Sequence, residues 1–169
     1  MIIVDDFLPK DDFKTIQDIL LGSEFGWFYN SRIDFPDDKN KFQFTHTLYR
    51  FNQPQSSYYN EWYEILVKPI TMGSTGGVLD KIKVNLLTRT PEIVENKFHT
   101  DIRPPKKPFT TSIFYVNTNN GYTKFKNGTI VESVENRLVT FPVNKQHKGS
   151  TCTDENIRVV INFNYMNYE

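Results

Sequence analysis

FHTDIRPP, residues 98–105, sets one of the chain's three histidines two positions from an aspartate and then breaks on a pair of prolines. In an extended segment, side chains i and i+2 project to the same face. His99 and Asp101 then point to one place, Thr100 points away, and Pro104 and Pro105 end the run. One imidazole and one carboxylate do not fill a coordination sphere, so a third ligand has to come from elsewhere. The alternative reading is a surface histidine beside a solvated aspartate.

Two histidines remain. His46 lies in FQFTHTLYRF, ahead of the strand-rich part of the chain, and His147 lies in PVNKQHKGS, directly after RLVTFPV. A metal at one end of a β-barrel draws its ligands from neighbouring strands, which makes His147 the better third ligand. Taken alone, it is an ordinary loop residue. Two histidines and one carboxylate on one face of a metal form the facial triad of non-haem Fe(II) oxygenases, which leaves positions open for cosubstrate and O2.

Further along, IRVVINFNY places Arg158, Val160, Asn162 and Asn164 on one face of a strand and Val159, Ile161, Phe163 and Tyr165 on the other, which is apolar. If the apolar face packs under helices, Arg158 faces the barrel interior. Burying an arginine without a partner is costly. A bound carboxylate supplies one through a bidentate, charge-assisted pair. A structural ion pair with a protein carboxylate is the competing reading.

The rest of the chain supplies the scaffold. MIIVDDFLP reads as a short strand ending at Pro9, which suits the first turn of a helix with Asp11 and Asp12 near its positive end. Phe13, Ile16 and Leu20 recur at helical spacing, and Gly22 ends that helix. A second helix is predicted from about Ser57 to Lys68, stopped by Pro69, with a GSTGG loop at 73–77. From residue 80 the pattern changes to KIKVNLL, FTTSIFYVN, YTKFKNGTIVESV, RLVTFPV and IRVVINFNY, short β-branched or aromatic runs between turn residues. Asn127-Gly128 predicts a type I′ hairpin turn, and its formal glycosylation sequon reads better as that turn. Helices in the first half and strands in the second predict a mainly β fold, a sandwich or barrel with helices packed outside it.

Composition narrows the class. The 169 residues carry 20 Lys+Arg and 20 Asp+Glu, so net charge is zero, which argues against a polyanion as main partner. Cys152 is the one cysteine, so no internal disulfide forms, and a cytoplasmic setting is expected. The first residues lack a basic stretch and a long apolar stretch, and no apolar run reaches membrane-spanning length.

Together these residues resemble the 2-oxoglutarate- and Fe(II)-dependent dioxygenases of the prolyl-4-hydroxylase-like kind. That family's pattern is His-x-Asp, a distal His on a late strand, then Arg or Lys further on. Here it reads HTD at 99–101, His147 and Arg158. TTSIFYVN resembles the family strand that ends in Tyr-Leu-Asn. GYTKF resembles Gly-Gly-x-Thr-x-Phe, with Tyr122 departing from it. The resemblance covers roughly residues 80–165, and IIVDDFLP with its helix also looks like the family's opening. It implies a double-stranded β-helix, a cupin-like jelly roll. The whole of 1–169 is then one oxygenase domain, with helical support over about 1–78 and a barrel core over about 80–165.

The resemblance further implies iron on His99, Asp101 and His147, and 2-oxoglutarate chelating it with the far carboxylate on Arg158. Tyr115 donates its hydroxyl to the cosubstrate. Asn162, in phase with Arg158, and Asn85 on the preceding strand line the same pocket. The implied activity is hydroxylation of an unactivated C–H bond of a peptidyl residue, amino acid or small metabolite, using O2, with ascorbate as an accessory reductant. Nucleobase-repair relatives carry a second arginine that RVVINFNY lacks, so a nucleic-acid duplex is not expected, and Asp101 stands where halogenating relatives have a small residue. The different-class alternative is a non-catalytic metal-binding β-barrel protein. Substrate recognition is expected from IRPPKKP, with Arg103, Lys106 and Lys107 making a basic rim, from STCTDEN, and from 29–55, where His46 and Arg50 sit in a segment able to cap the mouth.

Overall fold

The alternation in residues 157–166 sets the architecture of the computed structural model, which describes residues 1–37, 41–71, 78–102 and 108–166. Strand β11 (Ile157–Met166) lies at the centre of an eight-stranded antiparallel sheet, between β5 (Val78–Thr88) and β6 (Phe109–Tyr115). Beyond β6 come β9 (Arg137–Pro142) and β1 (Ile2–Val4); beyond β5 come β3 (Gln43–Arg50) and β2 (Phe28–Asn30), with β4 (Gln53–Pro54) pairing the end of β3. A second sheet has β7 (Asn119–Phe125) between β10 (His147–Gly149) and β8 (Ile130–Ser133). The first half of the chain thus adds strands to the large sheet, and the segment expected to cap the mouth, 29–55, supplies most of β2 and all of β3 and β4.

Each side of the large sheet has its own core, as a period-2 pattern demands. Val159, Ile161, Phe163, Ile82, Val84 and Phe114 meet Phe13, Ile16 and Leu20 of α1 (Lys10–Leu21) together with Trp62 and Leu66. On the opposite face Ile113, Tyr115, Val139 and Val160 meet Phe125 and Val131 of the small sheet. Val160 and Arg158 share that face, so the arginine points between the sheets.

Three local expectations are corrected. Pro69 does not stop the second helix. The segment runs from α2 (Tyr58–Glu61) through a π-helical turn over Tyr63–Val67 into α3 (Lys68–Thr71). The wide turn shifts the register, with Val67 N–H donating to Trp62 O, and Pro69 falls in the first turn of α3, where its missing N–H is tolerated. The Asn127-Gly128 turn is not type I′. Only Gly128 has positive φ (+90°), Gly128 N–H donates to Phe125 O, and Phe125 N–H donates to Thr129 O. This is a type I turn with a glycine bulge, steadied by Thr129 N–H donating to Asn127 Oδ1. Finally, residues 98–101 do not form a strand. The expected GSTGG loop lies outside the described residues, as do Arg103, Lys106 and Lys107.

Candidate active site

His99 reaches the site through a single backbone bridge. Its N–H donates to His147 O at 2.9 Å, and His147 N–H donates back to His99 O at 3.0 Å. His147 is the first residue of β10, so the small sheet holds one histidine and that histidine's own backbone holds the other. Asp101 follows two residues on. His99 Nε2 and His147 Nε2 lie 3.4 and 3.6 Å from Asp101 Oδ1, and one ligand atom from each residue falls within 4.8 Å of the others. The three side chains converge as the His-x-Asp reading expects, although the segment is not extended.

The donor set suits a divalent transition metal. Nδ1 of each histidine lies 3.2 Å from a carbonyl two residues before it, Lys97 O for His99 and Lys145 O for His147. A proton held there would make Nε2 of each histidine, beside Asp101, the atom offered to a bound metal. Asp101 Oδ2 accepts from Asn164 Nδ2 at 3.0 Å, so Oδ1 faces the histidines. Two imidazoles and one carboxylate are the ligands of a facial Fe(II) site.

Electrostatics agree with the geometry. Burial works to raise the Asp101 pKa, but the hydrogen bond to His99 and the charges of both histidines outweigh it and hold the carboxyl well below the usual range. Burial pushes His147 down. For His99 burial pulls the same way, yet Asp101 and Asp34 together hold it above its ordinary value. Asp34 Oδ2 lies 3.2 Å from His99 Nδ1, a carboxylate behind a candidate ligand.

Arg158 lies in the same cavity of about 320 Å³. It is 3 % exposed, and no carboxylate pairs with it among the described residues. Nε donates to Ser133 Oγ at 2.8 Å, Nη2 donates to Thr123 Oγ1 at 3.3 Å, and the guanidinium stands 5.7 Å from the Tyr115 ring centre. Gly121 clears space for it, whereas Gly149 only lies alongside. A Cβ on Gly121 would meet Arg158 Cδ at 2.7 Å, and one on Gly149 would approach Nη1 to 3.5 Å.

The remaining predicted residues divide. Asn162 and Asn85 line the cavity, the first with its Oδ1 buried and unpartnered. Tyr115 does not line it. The ring is fully buried between the sheets, and its hydroxyl donates to Thr123 Oγ1 at 2.8 Å. Thr123 Oγ1 therefore accepts from both Tyr115 and Arg158, and its own proton is left to donate into the cavity. His46 sits on the helix-facing side of β3, its Nδ1 2.5 Å from Gly26 O and its ring against Phe25 and Tyr58. It opposes Val84 in register and so faces away from the cavity. From 29–55, Ile33, Asp34 and Gln43 do reach the lining.

Sequence reasoning missed Asn164, Thr123, Asp34, Lys81 and Lys83. Asn164 was visible in phase with Arg158. The two lysines alternate with Ile82 and Val84 in KIKVN, so strand period alone puts them on one face with Asn85.

No protein-family model and no curated protein sequence matches the chain. Solved structures do. A 2OG-Fe(II) oxygenase family oxidoreductase from Burkholderia pseudomallei superposes with a TM-score of 0.66 at 9% identity, covering 99% of this chain and 85% of that one. HygX from Streptomyces hygroscopicus, with nickel, 2-oxoglutarate and hygromycin B bound, gives 0.64 at 8%, covering 98% and 82%. A Trichoplax adhaerens prolyl hydroxylase in complex with a hypoxia inducible factor peptide fragment gives 0.60 at 14%, covering 98% and 82%. With its two antiparallel sheets and flanking helices, the chain has the double-stranded β-helix fold of the 2-oxoglutarate- and Fe(II)-dependent oxygenases.

Proposed function

We propose that the chain is an Fe(II)- and 2-oxoglutarate-dependent oxygenase that hydroxylates an unactivated C–H bond of a peptidyl residue, an amino acid or a small metabolite. One observation carries the reading: a His-Asp-His triad and a buried arginine lacking a carboxylate partner among the described residues open into one cavity. A structural metal site does not call for the arginine.

The residues take these roles. His99 and His147 present Nε2 and Asp101 presents Oδ1 to the metal, with Asn164 fixing the carboxylate. Arg158 receives the far carboxylate of 2-oxoglutarate, and Thr123 donates its hydroxyl proton to the same group. Tyr115 acts one step back, by fixing the Thr123 rotor and supporting the guanidinium. When bound, iron and 2-oxoglutarate supply O2 activation coupled to release of succinate and CO2. The protein's part is to orient these groups and keep water from them. The similar folds include one bound to a peptide fragment and one bound to hygromycin B, which supports keeping both a peptide and a small molecule as candidate substrates.

The test combines binding and turnover. Wild-type protein with Fe(II), 2-oxoglutarate and O2 is expected to release succinate, and His99→Ala, Asp101→Ala or His147→Ala to abolish it without loss of circular dichroism. A hydrogen bond to a charged group contributes about 1.5–3 kcal/mol, so Arg158→Ala should weaken 2-oxoglutarate in calorimetry by roughly ten- to hundredfold. Metal binding with no succinate release and unchanged 2-oxoglutarate affinity in Arg158→Ala would instead favour a non-catalytic metal-binding barrel.

A further inference from the structure

Two cations line the cavity without an ion-pair partner among the described residues, Arg158 fully buried and Lys83 half-buried, and 2-oxoglutarate accounts for one of them. Arg158 takes its far carboxylate, and the other end of the molecule belongs at the metal. The second cation is Lys83. It lies on β5 two positions from Lys81 and two from Asn85, and all three side chains line the cavity. Among the described residues its ammonium forms neither a hydrogen bond nor an ion pair. Asp101 and Asp34 are near enough for their charge to be felt there, but neither pairs with it. In register across β11 stands Asn162, whose amide oxygen is also buried without a partner. An ammonium in such a place is costly unless an anion arrives. Burial, with Lys81 adding to it, lowers the Lys83 pKa, the direction expected of a cation short of counter-charge.

We propose that Lys83, with Lys81 beside it and the Asn162 amide across the strand pair, forms a carboxylate-binding subsite for the primary substrate. The molecule hydroxylated here is then an organic acid or an acidic peptide residue. The proposal rests on the oxygenase reading and deepens it. The carboxylate accepts from Lys83 Nζ and Lys81 Nζ, and Asn162 Oδ1 accepts an N–H or O–H of the same molecule. Neutral molecules of the same shape leave the ammonium uncompensated and bind less well.

The test uses protein loaded with Co(II) and 2-oxoglutarate, with acetate as probe and acetamide as its neutral isostere. The paramagnetic metal relaxes the methyl protons of a probe held nearby. Wild type is expected to relax acetate well above acetamide. Lys83→Met keeps the stem volume and removes the charge, and should cut that excess by about tenfold, while Lys83→Arg should restore most of it. Affinity for 2-oxoglutarate in Lys83→Met should stay within about twofold of wild type. Equal relaxation of acetate and acetamide in wild type, or an acetate effect unchanged in Lys83→Met, would overturn the subsite. A tenfold loss of 2-oxoglutarate affinity in Lys83→Met would overturn it differently, by assigning the lysine to the cosubstrate. Failure of wild type to take up Co(II) and 2-oxoglutarate would bring down the oxygenase reading and the subsite with it.

Discussion

Asp101 divides its two oxygens between the histidine pair and the protein behind it. Oδ2 accepts from Asn164 Nδ2, which also donates to Thr111 Oγ1 at 3.0 Å, so the amide is fixed from both sides. Partners behind a metal ligand typically carry about ten- to hundredfold in affinity. Asn164→Leu, similar in size but without the donor, should weaken Co(II) by roughly that factor in calorimetry. Unchanged affinity would show that Oδ2 needs no fixing. At this scale the sequence was partly legible. His99, Asp101, His147 and Arg158 could be named from type and order, because few other side chains do their chemistry. Asn164 was visible as a polar member of the same strand face. Which carboxylate it serves was not, since the contact joins residues far apart in the chain. Tyr115 shows the opposite error, a strand position read correctly but a hydroxyl whose partner only packing decides.

The element that carries His99 is held by its neighbours. Residues 95–101 form no strand of their own. Isolated bridges at Glu95–Ser150 and His99–His147 attach them to the small sheet, and the Glu95 side chain adds an anchor. Glu95 accepts from Lys148 Nζ at 2.5 Å, Tyr122 Oη at 2.9 Å and Lys124 Nζ at 3.3 Å. The Lys148 contact, then Tyr122, lowers its pKa from an ordinary 4.5 to about 2. A carboxyl depressed on folding stabilises the protein above its unfolded pKa and loses that contribution as pH falls toward the folded one. Wild-type melting temperature should therefore drop between about pH 4.5 and 2 in part through this group. Glu95→Gln should lose stability at neutral pH, about 1 kcal/mol after solvent screening, and flatten that acid limb. An equally steep limb in the variant would place the acid sensitivity elsewhere. This element was the least legible one. Proline after HTD suggested an extended run, but bridges to a partner strand leave no local pattern.

For the molecule as a whole, the large sheet is the common wall of two cores, one under the helices and one facing the small sheet. Phe114 shows how the first is closed. It is fully buried, and its ring packs edge-on against Phe13 of α1 at 6.1 Å and Phe7 at 6.4 Å. Truncating a buried phenylalanine costs about 3–5 kcal/mol. Phe114→Ala should lose that much in urea unfolding while 2-oxoglutarate affinity in the folded fraction stays near wild type, because the side chain faces away from the cavity. A loss of affinity without loss of stability would contradict the two-faced description. Mainly β with helices outside was legible because the second half falls into short β-branched or aromatic runs between turn residues. The strands in 28–54 were not, because QFTHTLYR mixes polar and aromatic residues on both faces.

The paired backbone of His99 and His147 has a kinetic consequence. The two candidate ligands are tied by reciprocal backbone hydrogen bonds, so their spacing is set by the fold before any ion arrives, and loading need not order the chain. In metal-free protein the amide hydrogens of residues 99 and 147 should already exchange slowly with deuterium. Their protection should change little on loading with Zn(II), whereas a site assembled by the ion would show protection only afterwards.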